Sequence, residues 1–299
     1  MRPTFIFRFL LLALAAILFV ACGDDEEDVV VTSSNSNANV VTTQPEVSRL
    51  EMPRLKGGNS ILLVHKTNDS YDPVNFSVEW DCDKKSQRWT CYEMHKGYGG
   101  SAGYYGEFME DPDVPSDARF SDTNAMYRGS GFTRGHICPS ADRQYSRAAN
   151  KQTFYYTNMQ PQYYNFNAGD NYSGFWVKME AQLRTWTSTS GYDTIYVCKG
   201  GTIDKEEQIL ARIKNELIVP KYFFVALLCK NSQGYKALGF WAKHDNQVRD
   251  NVNIADYVVS IHELEELTDI DFFCNLPDDI EAHVENLPVE NIKRAWGLK

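Results

Sequence analysis

Side chains with complementary chemistry lie close together in the middle of the sequence. Arg134 and His136 are separated by one glycine, Asn158 and Asn167 follow, and Glu180 comes last. An imidazole can take a proton from water, and a guanidinium can grip a phosphate through two parallel hydrogen bonds. An amide oxygen can hold Mg²⁺ while the ion keeps most of its waters. This set of residues predicts hydrolysis of a phosphodiester with the help of one divalent cation.

Hydrophobic periodicity predicts the elements that carry these residues. Residues 153–157 form an aromatic and β-branched run, which predicts a strand. Residues 163–172 are rich in Asn and Tyr, which is typical of a loop. Apolar side chains then recur at helical spacing, so residues 174–187 are predicted to form an amphipathic helix with Ser173 as its N-cap. Glu180 lies at the margin of the buried face of that helix.

The rest of the chain mixes strand and helix signals in no strict order. Two pairs of strand-like runs with short polar connections predict hairpins over residues 76–94 and 222–241, and residues 194–199 predict one more strand. Helical patterns cover residues 257–267 and 278–287. Such a mixture favours an α+β fold over a parallel sheet.

The charge of the chain is unevenly distributed. The formal net charge of −10 argues against a nucleic-acid partner at first sight, but five carboxylates lie at residues 24–28. Between residues 119 and 151, six cationic side chains accompany two carboxylates. The basic charge therefore gathers around His136, which favours an anionic ligand there. A solvated basic surface is the alternative interpretation.

The N-terminus predicts export and lipidation. Two arginines precede an uncharged apolar run at residues 9–21, which is shorter than the roughly 20 apolar residues of a membrane span. Cys22 ends a Phe-Val-Ala-Cys sequence that resembles the lipobox of bacterial lipoproteins. Residues 1–21 are therefore predicted to be a lipoprotein signal peptide. A free cysteine after an ordinary signal peptide is the alternative.

The region after Cys22 predicts a tether and then one folded domain. Residues 22–54 begin with the acidic run, continue without helical or strand periodicity, and are predicted to be flexible. Residues 55–299 are long enough for one domain with a sizeable core. The acidic run also resembles the export tag of surface lipoproteins in some Gram-negative bacteria. We expect an extracytoplasmic, lipid-anchored protein at the outer membrane or cell surface, with the face of the membrane left open.

Six cysteines besides Cys22 remain in the exported part. An even number of cysteines in an exported chain favours disulfides. Cys82 and Cys91 lie near the ends of two strand-like runs, so they are the predicted pair. The connectivity of the other four is open, and their spacing does not match a zinc site.

Four segments carry a resemblance to a known family. They are a Thr-Arg-Gly-His sequence that ends at His136, the segment that begins at Asn158, a Phe-Asn pair that ends at Asn167, and a Trp-x-x-x-Glu sequence that ends at Glu180. Together they resemble the DNA/RNA non-specific endonuclease family, sugar-non-specific nucleases related to endonuclease G. The similarity covers roughly residues 57–288. It implies a ββα-metal nuclease fold in which helices flank a central antiparallel sheet.

The resemblance also implies a role for each residue of the motif. His136 is implied as the general base, Asn167 as the one direct protein ligand of Mg²⁺, and Glu180 as the holder of a water in the metal's shell. Arg134 is implied to stabilise the charged phosphorane-like state, and Asn158 to brace the site by hydrogen bonding. Mn²⁺ or another divalent cation is the alternative metal. DNA and RNA are the implied substrates without an organic cofactor, and a homodimer stays open.

The chain departs from the family pattern in three places. Thr133 stands where the family commonly has Asp. The spacing after the Phe-Asn pair is longer than usual, which leaves Asn165 and Asn171 as alternative metal ligands. An Arg commonly found before the Asp-Pro turn has no match, so Arg143 and Arg147 are predicted to bind the substrate instead.

The leading prediction is a lipid-anchored endonuclease that cuts single- or double-stranded DNA and RNA with little sequence preference. One alternative is a surface binding module that has kept the nuclease scaffold but not its activity, an interpretation that the acidic net charge and Thr133 favour. Another is a phosphodiesterase for small nucleotides.

Overall fold

The computed structural model describes residues 34–68, 72–96, 98 and 100–299. The predicted signal peptide and Cys22 lie outside these residues. In the part that is described, no helix combines the length and the apolar character that crossing a bilayer requires.

The described residues form strands and helices in a mixed order. The strands are β1 (Ser60–Lys66), β2 (Val74–Asp81), β3 (Ser86–His95), β4 (Thr133–His136), β5 (Met159–Gln162), β6 (Thr194–Gly201), β7 (Ile209–Ile213), β8 (Leu217–Pro220), β9 (Tyr222–Asn231), β10 (Gly234–Lys243) and β11 (Val258–Val259). The helices are α1 (Thr123–Tyr127), α2 (Arg147–Gln152), α3 (Tyr164–Asn167), α4 (Phe175–Thr187), α5 (Ile261–Thr268), α6 (Asp278–Glu285) and α7 (Val289–Trp296).

One large antiparallel sheet lies at the centre of the domain. Its strands follow the spatial order β1-β2-β3-β6-β9-β10-β11, and every neighbouring pair is antiparallel. Two smaller antiparallel pairs, β4-β5 and β7-β8, stand beside it. This arrangement confirms the predicted α+β fold with a central antiparallel sheet.

The sheet buries side chains on both faces because successive residues of a strand point to opposite sides. On β9, Val225 and Leu227 face a core that includes Trp176 of α4, whereas Phe224 and Leu228 face a second core. The second core also includes residues of α5 and α6. Helices therefore cover the two faces of the sheet, and α4 lies on the face that carries the candidate site.

The sequence located most, but not all, of these elements. The two hairpins are confirmed as β2-β3 and β9-β10, and the helix predicted at residues 174–187 is confirmed as α4. Gly174, not Ser173, is the N-cap of α4. A Cβ at Gly174 would lie 2.7 Å from the carbonyl oxygen of Phe166, so α4 begins in close contact with the end of α3.

The prediction of a strand at residues 153–157 is wrong. The chain turns there, with the hydroxyl of Thr153 donating to the carbonyl of Asn150, and the strand follows as β5. Ring contacts bury Phe154 in this run, and its backbone pairing is limited to one isolated bridge between Tyr155 and Met109. The sequence did not predict β5 because this strand contains Pro161, and proline is rare within strands.

The predicted disulfide between Cys82 and Cys91 is not formed, and both thiols are free. The β2-β3 register places Cys91 opposite Ser77, five residues before Cys82. At about 3.3 Å per residue, the two cysteines are roughly 16 Å apart along the strands. A disulfide requires Cα atoms within about 7 Å.

Part of the predicted tether contacts the folded domain. The side chain of Asn39 donates to the carbonyl groups of Val47 and Pro53, and Asn275 donates to those of Val47 and Arg49. Met52 is fully buried. Ordered contacts therefore begin before residue 55, while the division of the chain into signal peptide, tether and nuclease domain stays a prediction.

Candidate active site

His136 is the last residue of β4, which pairs with β5. Its neighbour Gly135 lies so close to Gln162 that a Cβ at this position would be 2.2 Å from Gln162 Oε1. Glycine between Arg134 and His136 thus leaves room for the Gln162 side chain, which a larger residue would force to move.

Helix α4 is attached directly to the end of β4. The indole Nε1 of Trp176 donates a hydrogen bond of 2.9 Å to the carbonyl oxygen of His136. Glu180 follows Trp176 by four residues, so it lies one helical turn further on the same side of α4. Two antiparallel strands and one helix thus hold the histidine and the glutamate in one structural unit.

The imidazole of His136 is half-buried among aromatic rings. Phe154 meets it edge-on with ring centroids 4.9 Å apart, and Phe108 lies at 5.7 Å. Burial and the nearby cation of Lys199 lower the pKa of His136 to about 3. Within the described residues Nε2 has no hydrogen-bond partner. His136 is therefore neutral at physiological pH, with a ring nitrogen available to accept a proton.

Arg134 lies beside His136 and is held by aromatic rings. Its guanidinium carbon is 5.0 Å from the ring centre of Phe108 and 5.2 Å from that of Tyr127, and Nη2 donates to Asn124 Oδ1. Phe108 contacts both Arg134 and His136. The guanidinium has no carboxylate partner among the described residues, so its charge is available to a phosphate.

Asn167 is tied to the strand that carries His136. Its Nδ2 donates a hydrogen bond of 3.0 Å to the hydroxyl of Thr133, and that hydroxyl donates to the carbonyl of Gln162 at 2.9 Å. The hydroxyl hydrogen is used on Gln162, so Thr133 can only accept from the Asn167 amide. This orients Asn167 with Oδ1 as its remaining ligand atom.

The two alternative metal ligands are placed differently. The side chain of Asn165 donates to the carbonyl of Asn246 at 2.9 Å, which directs it toward another loop. Asn171 is exposed and adopts a positive φ of 54° in a turn. Neither makes a side-chain hydrogen bond to β4 or β5 in the described chain. The structure therefore favours Asn167 among the three.

Asn158 is a bracing residue. It is completely buried, and its side-chain oxygen accepts from the backbone N–H of Cys138 at 2.8 Å. Its Nδ2 donates to the carbonyl groups of Cys138 and Thr153, each at 2.9 Å. These bonds fix the backbone immediately after His136.

A buried lysine that the sequence did not single out accompanies Glu180. Lys199 Nζ lies 3.6 Å from Glu180 Oε1, is fully buried, and has no hydrogen-bond partner in the part of the chain that is described. The ring of Trp176 supports it at 4.8 Å. Burial raises the pKa of Glu180 to about 7, with Lys199 opposing that shift and Asp142 adding to it. A single lysine near the end of a predicted strand is typical of a surface residue, so no local pattern in the sequence predicts this contact.

The two predicted substrate-binding arginines have different environments. Arg143 is 1 % exposed and donates to the carbonyl groups of Asn75 and Glu93, and it packs over the ring of Tyr92. Arg143 therefore cannot reach a substrate, and this prediction is wrong. Arg147 at the start of α2 is exposed and remains available.

The donor atoms of the site fit a hard divalent cation. Asn167 Oδ1 and the carboxylate of Glu180 are oxygen ligands of the type that Mg²⁺ prefers. Hydrogen bonding to Thr133 leaves the Asn167 oxygen for such an ion. Asn167 Oδ1 and the Glu180 carboxylate are thus the oxygen donors that could hold such an ion.

A second set of possible metal donors lies apart from these residues. Donor atoms of His65, Asp111 and Asp113 lie within 4.8 Å of one another. His65 Nε2 is 3.1 Å from Asp111 Oδ2, and Thr157 also donates to that carboxylate. Burial raises the pKa of Asp111, but the hydrogen bonds from His65 and Thr157 outweigh burial and hold it below its ordinary value. We interpret the contacts of His65 and Thr157 with Asp111 as a buried polar cluster that fixes the Asp-Pro turn.

These observations define the class of site. A strand pair and a following helix bring a histidine, an arginine, an asparagine and a glutamate together, as expected for a ββα-metal nuclease. The sequence model of the DNA/RNA non-specific endonuclease family matches residues 61–279, and the chain belongs to this family. Membership of this family supports the expectation of a nucleic-acid-hydrolysing enzyme.

Individual relatives support the same assignment. The chain is 28% identical over 218 residues to the mitochondrial nuclease EXOG of Xenopus laevis, covering 69% of this chain and 58% of the relative. It is 29% identical over 229 residues to a nuclease of Nostoc sp., covering 74% and 79%. It is 30% identical over 178 residues to mitochondrial endonuclease G of Bos taurus, covering 57% and 56%. The matches span less than two thirds of the two mitochondrial proteins.

The fold is also that of a solved relative. A chain from the crystal structure of the EndoG/EndoGI complex superposes with a TM-score of 0.60, covering 79% of this chain and 94% of the other at 18% identity. At this identity the likeness establishes the shared fold.

Proposed function

We propose that the protein is a divalent-cation-dependent endonuclease that hydrolyses phosphodiester bonds in DNA and RNA with little sequence preference. The observation that carries the proposal is the attachment of two helices, α3 through Asn167 and α4 through Trp176, to one strand. Asn167 bonds to Thr133 at the start of β4, and Trp176 bonds to His136 at its end. Those ends are about 10 Å apart along a strand, and the proposal requires that one phosphate group and its attacking water bridge the two residues.

The chemical step follows from the state of each side chain. Neutral His136 takes a proton from a water molecule, whose oxygen attacks the phosphorus in line with the 3′ oxygen that leaves. The approaching phosphate anion favours the protonated imidazole, which offsets the low pKa that His136 has in the free protein. Arg134 lies beside His136 and holds the phosphate oxygens as charge builds on them.

Asn167, with the Glu180 carboxylate nearby, would hold a divalent cation, which would neutralise charge on the phosphate and on the leaving oxygen. Mg²⁺ suits these oxygen donors, and Mn²⁺ is an alternative. Glu180 requires a compensating charge in its half-buried position, and Lys199 provides one at 3.6 Å. Contacts to phosphate carry no sequence information, which is why we propose a non-specific enzyme.

Lipid anchoring belongs to the same proposal. The lipobox-like sequence at Cys22 and the acidic run after it support attachment to the outer membrane or cell surface on the extracytoplasmic side. Labelling of the cells with a radioactive fatty acid, comparing the natural chain with Cys22→Ser, tests the attachment. Incorporation that does not depend on Cys22 would contradict it.

A nuclease assay on the purified protein tests the proposed activity. Supercoiled plasmid and a structureless RNA should both be degraded in Mg²⁺ or Mn²⁺, EDTA should stop both reactions, and His136→Ala should be inactive with an unchanged melting temperature. Retardation of the nucleic acid without cleavage in either cation would instead identify a binding module. Cleavage of a dinucleotide but not of the long substrates would identify a small-nucleotide phosphodiesterase.

A further inference from the structure

An exposed tyrosine lies two ring contacts from His136. Tyr104 is 61% exposed, and its ring packs edge-on against Phe154 with centroids 4.8 Å apart. Phe154 in turn contacts His136 at 4.9 Å. Burying a large aromatic ring is favourable, so a ring left in water next to a general base requires an explanation.

The loop that presents Tyr104 is fastened to the protein. The backbone N–H of Tyr105 donates to Asn150 Oδ1 at 2.8 Å, and that of Ala102 donates to the carbonyl of Gln144 at 3.0 Å. Asn150 is itself buried and bonded to Ser140. The exposed ring therefore stands on a supported loop, which lowers the entropic cost of using it for binding.

Cationic side chains lie next to the same loop. Arg147 and Lys151 of α2 are exposed and lie over the ring of Tyr105 at 5.2 and 5.9 Å. Glu107 is the nearby exposed carboxylate of the loop. Two cations beside two tyrosines combine positive charge with aromatic surface, a combination that complements a strand with free bases and a charged backbone.

We propose that Tyr104, Tyr105, Arg147 and Lys151 form a binding surface for single-stranded nucleic acid, in which Tyr104 stacks on a base close to the scissile phosphate. Arg147 and Lys151 bind phosphates of the same strand. This inference rests on the proposed nuclease function and gives it a substrate preference. A base inside a duplex is already stacked and paired, so this surface distinguishes unpaired strands from intact duplexes without distinguishing one base from another.

A binding experiment without cleavage tests this surface. Fluorescence anisotropy in EDTA is measured with a labelled 12-nucleotide DNA strand, with the same sequence as a duplex, and with a strand of equal length made of abasic residues. Tyr104→Ala removes the stacking of one base, so it should weaken binding of the ordinary strand about tenfold, or about 1.4 kcal/mol. Binding of the duplex and of the abasic strand should change less than twofold, and Tyr104→Trp should keep wild-type affinity.

Two further variants separate stacking from charge and from general effects. Arg147→Ala should weaken binding of all three probes and reduce their salt dependence, because it removes a phosphate contact. Tyr235→Ala is the matched control, since Tyr235 also has a lysine over its ring but packs on the opposite face of the sheet, and it should change nothing.

Wild-type affinity of Tyr104→Ala for the ordinary strand would overturn the inference. Equal losses on the ordinary and abasic strands would also overturn it, because a structural defect does not depend on bases. Since no cation is present, these binding results are independent of whether the protein cleaves nucleic acid. Absence of cleavage by the wild type would contradict the proposed function instead.

Discussion

The amide group of Asn167 donates a hydrogen bond of 3.0 Å to the hydroxyl of Thr133. This contact explains how threonine replaces the aspartate that the family commonly has at this position. A carboxylate and a hydroxyl both accept from an amide, so either residue can turn Asn167 Oδ1 toward a cation. Threonine keeps the orientation of the ligand and removes one negative charge from the site.

Removing the Thr133 hydroxyl should lower the apparent affinity of the site for Mg²⁺. Thr133→Val has nearly the same shape but cannot accept from Asn167, so we expect a 10- to 100-fold lower apparent affinity for Mg²⁺, the loss typical of outer-shell partners. The measurement is the cleavage rate as a function of Mg²⁺ concentration. Thr133→Ser retains the hydroxyl and is the control. The same Mg²⁺ dependence in Thr133→Val and wild type would show that this bond does not orient the ligand.

Lys199 should set the acidic limb of the pH–rate profile. Burial lowers the pKa of His136, and the Lys199 cation lowers it further. Lys199 also opposes the rise that burial imposes on the pKa of Glu180. Removing the Lys199 charge therefore raises the pKa of His136 and that of Glu180. On acidification, Lys199→Met should lose activity at a higher pH than the wild type does. Profiles from pH 5 to 9 test this.

Lys230→Met is the control for that experiment, because Lys230 is exposed at the end of β9. Its profile should coincide with that of the wild type. Coincident profiles for Lys199→Met and wild type would contradict a role for the buried amine at the site.

Loss of the Asn158 side chain should destabilise the domain and impair catalysis together. Asn158→Ala leaves the N–H of Cys138 and two buried carbonyl groups without their partner. An unsatisfied buried group costs about 1–3 kcal/mol, and we expect a total loss of at least this size in urea unfolding. Cleavage measured far below the melting temperature should also fall, because the backbone after His136 is released. Unchanged stability would contradict the bracing role.

The contribution of Glu285 in α6 to the free energy of unfolding should have the opposite pH dependence from that of a carboxylate in an ordinary ion pair. Burial raises the pKa of Glu285 to about 9, with further contributions from Glu265 and Glu281. At pH 8 the unfolded chain has this carboxyl ionised, whereas the folded chain keeps it protonated, so the shift destabilises the fold above the ordinary carboxyl pKa. Stability contributed by the group is present at low pH and is lost as the pH rises toward 9.

Glu285→Gln tests this sign. The amide carries no charge in either state, so the variant should be more stable than wild type at pH 8, by about 1–3 kcal/mol once solvent screening of this half-buried group is allowed for, and equal to it near pH 4.5. Urea unfolding at both pH values gives the two differences. A variant less stable at pH 8 would show that the carboxyl is ionised and paired in the folded protein.

The sequence predicted the elements and residues whose signals are local. Helix α4 repeats apolar residues at helical spacing, and β9-β10 has two apolar runs with a short polar turn, so both could be located. The pattern that contains Arg134 and His136 can be recognised from four consecutive residues of the sequence. These features do not require knowledge of the distant chain.

Other features depend on contacts between distant segments. The sequence shows that Arg143 lies close to His136 along the chain, but the fold buries its guanidinium against carbonyl groups of β2 and β3. Lys199 meets Glu180 only because β6 passes beneath α4. The register that separates Cys82 from Cys91 is likewise a property of the sheet. Neither hydrophobic periodicity nor the spacing of residues along the chain indicates such contacts between distant segments.

The most direct test of the account is a double-mutant cycle between His136 and Asn167. Single-turnover cleavage of one oligonucleotide at saturating Mg²⁺ is measured for wild type, His136→Ala, Asn167→Ala and the double variant, with melting temperatures as the control for folding. If both residues act on one phosphate in one step, each single variant should lose at least about 100-fold in rate and the double variant should be little slower than the slower single variant. Near-wild-type cleavage by His136→Ala, or losses that multiply fully in the double variant, would contradict the shared site.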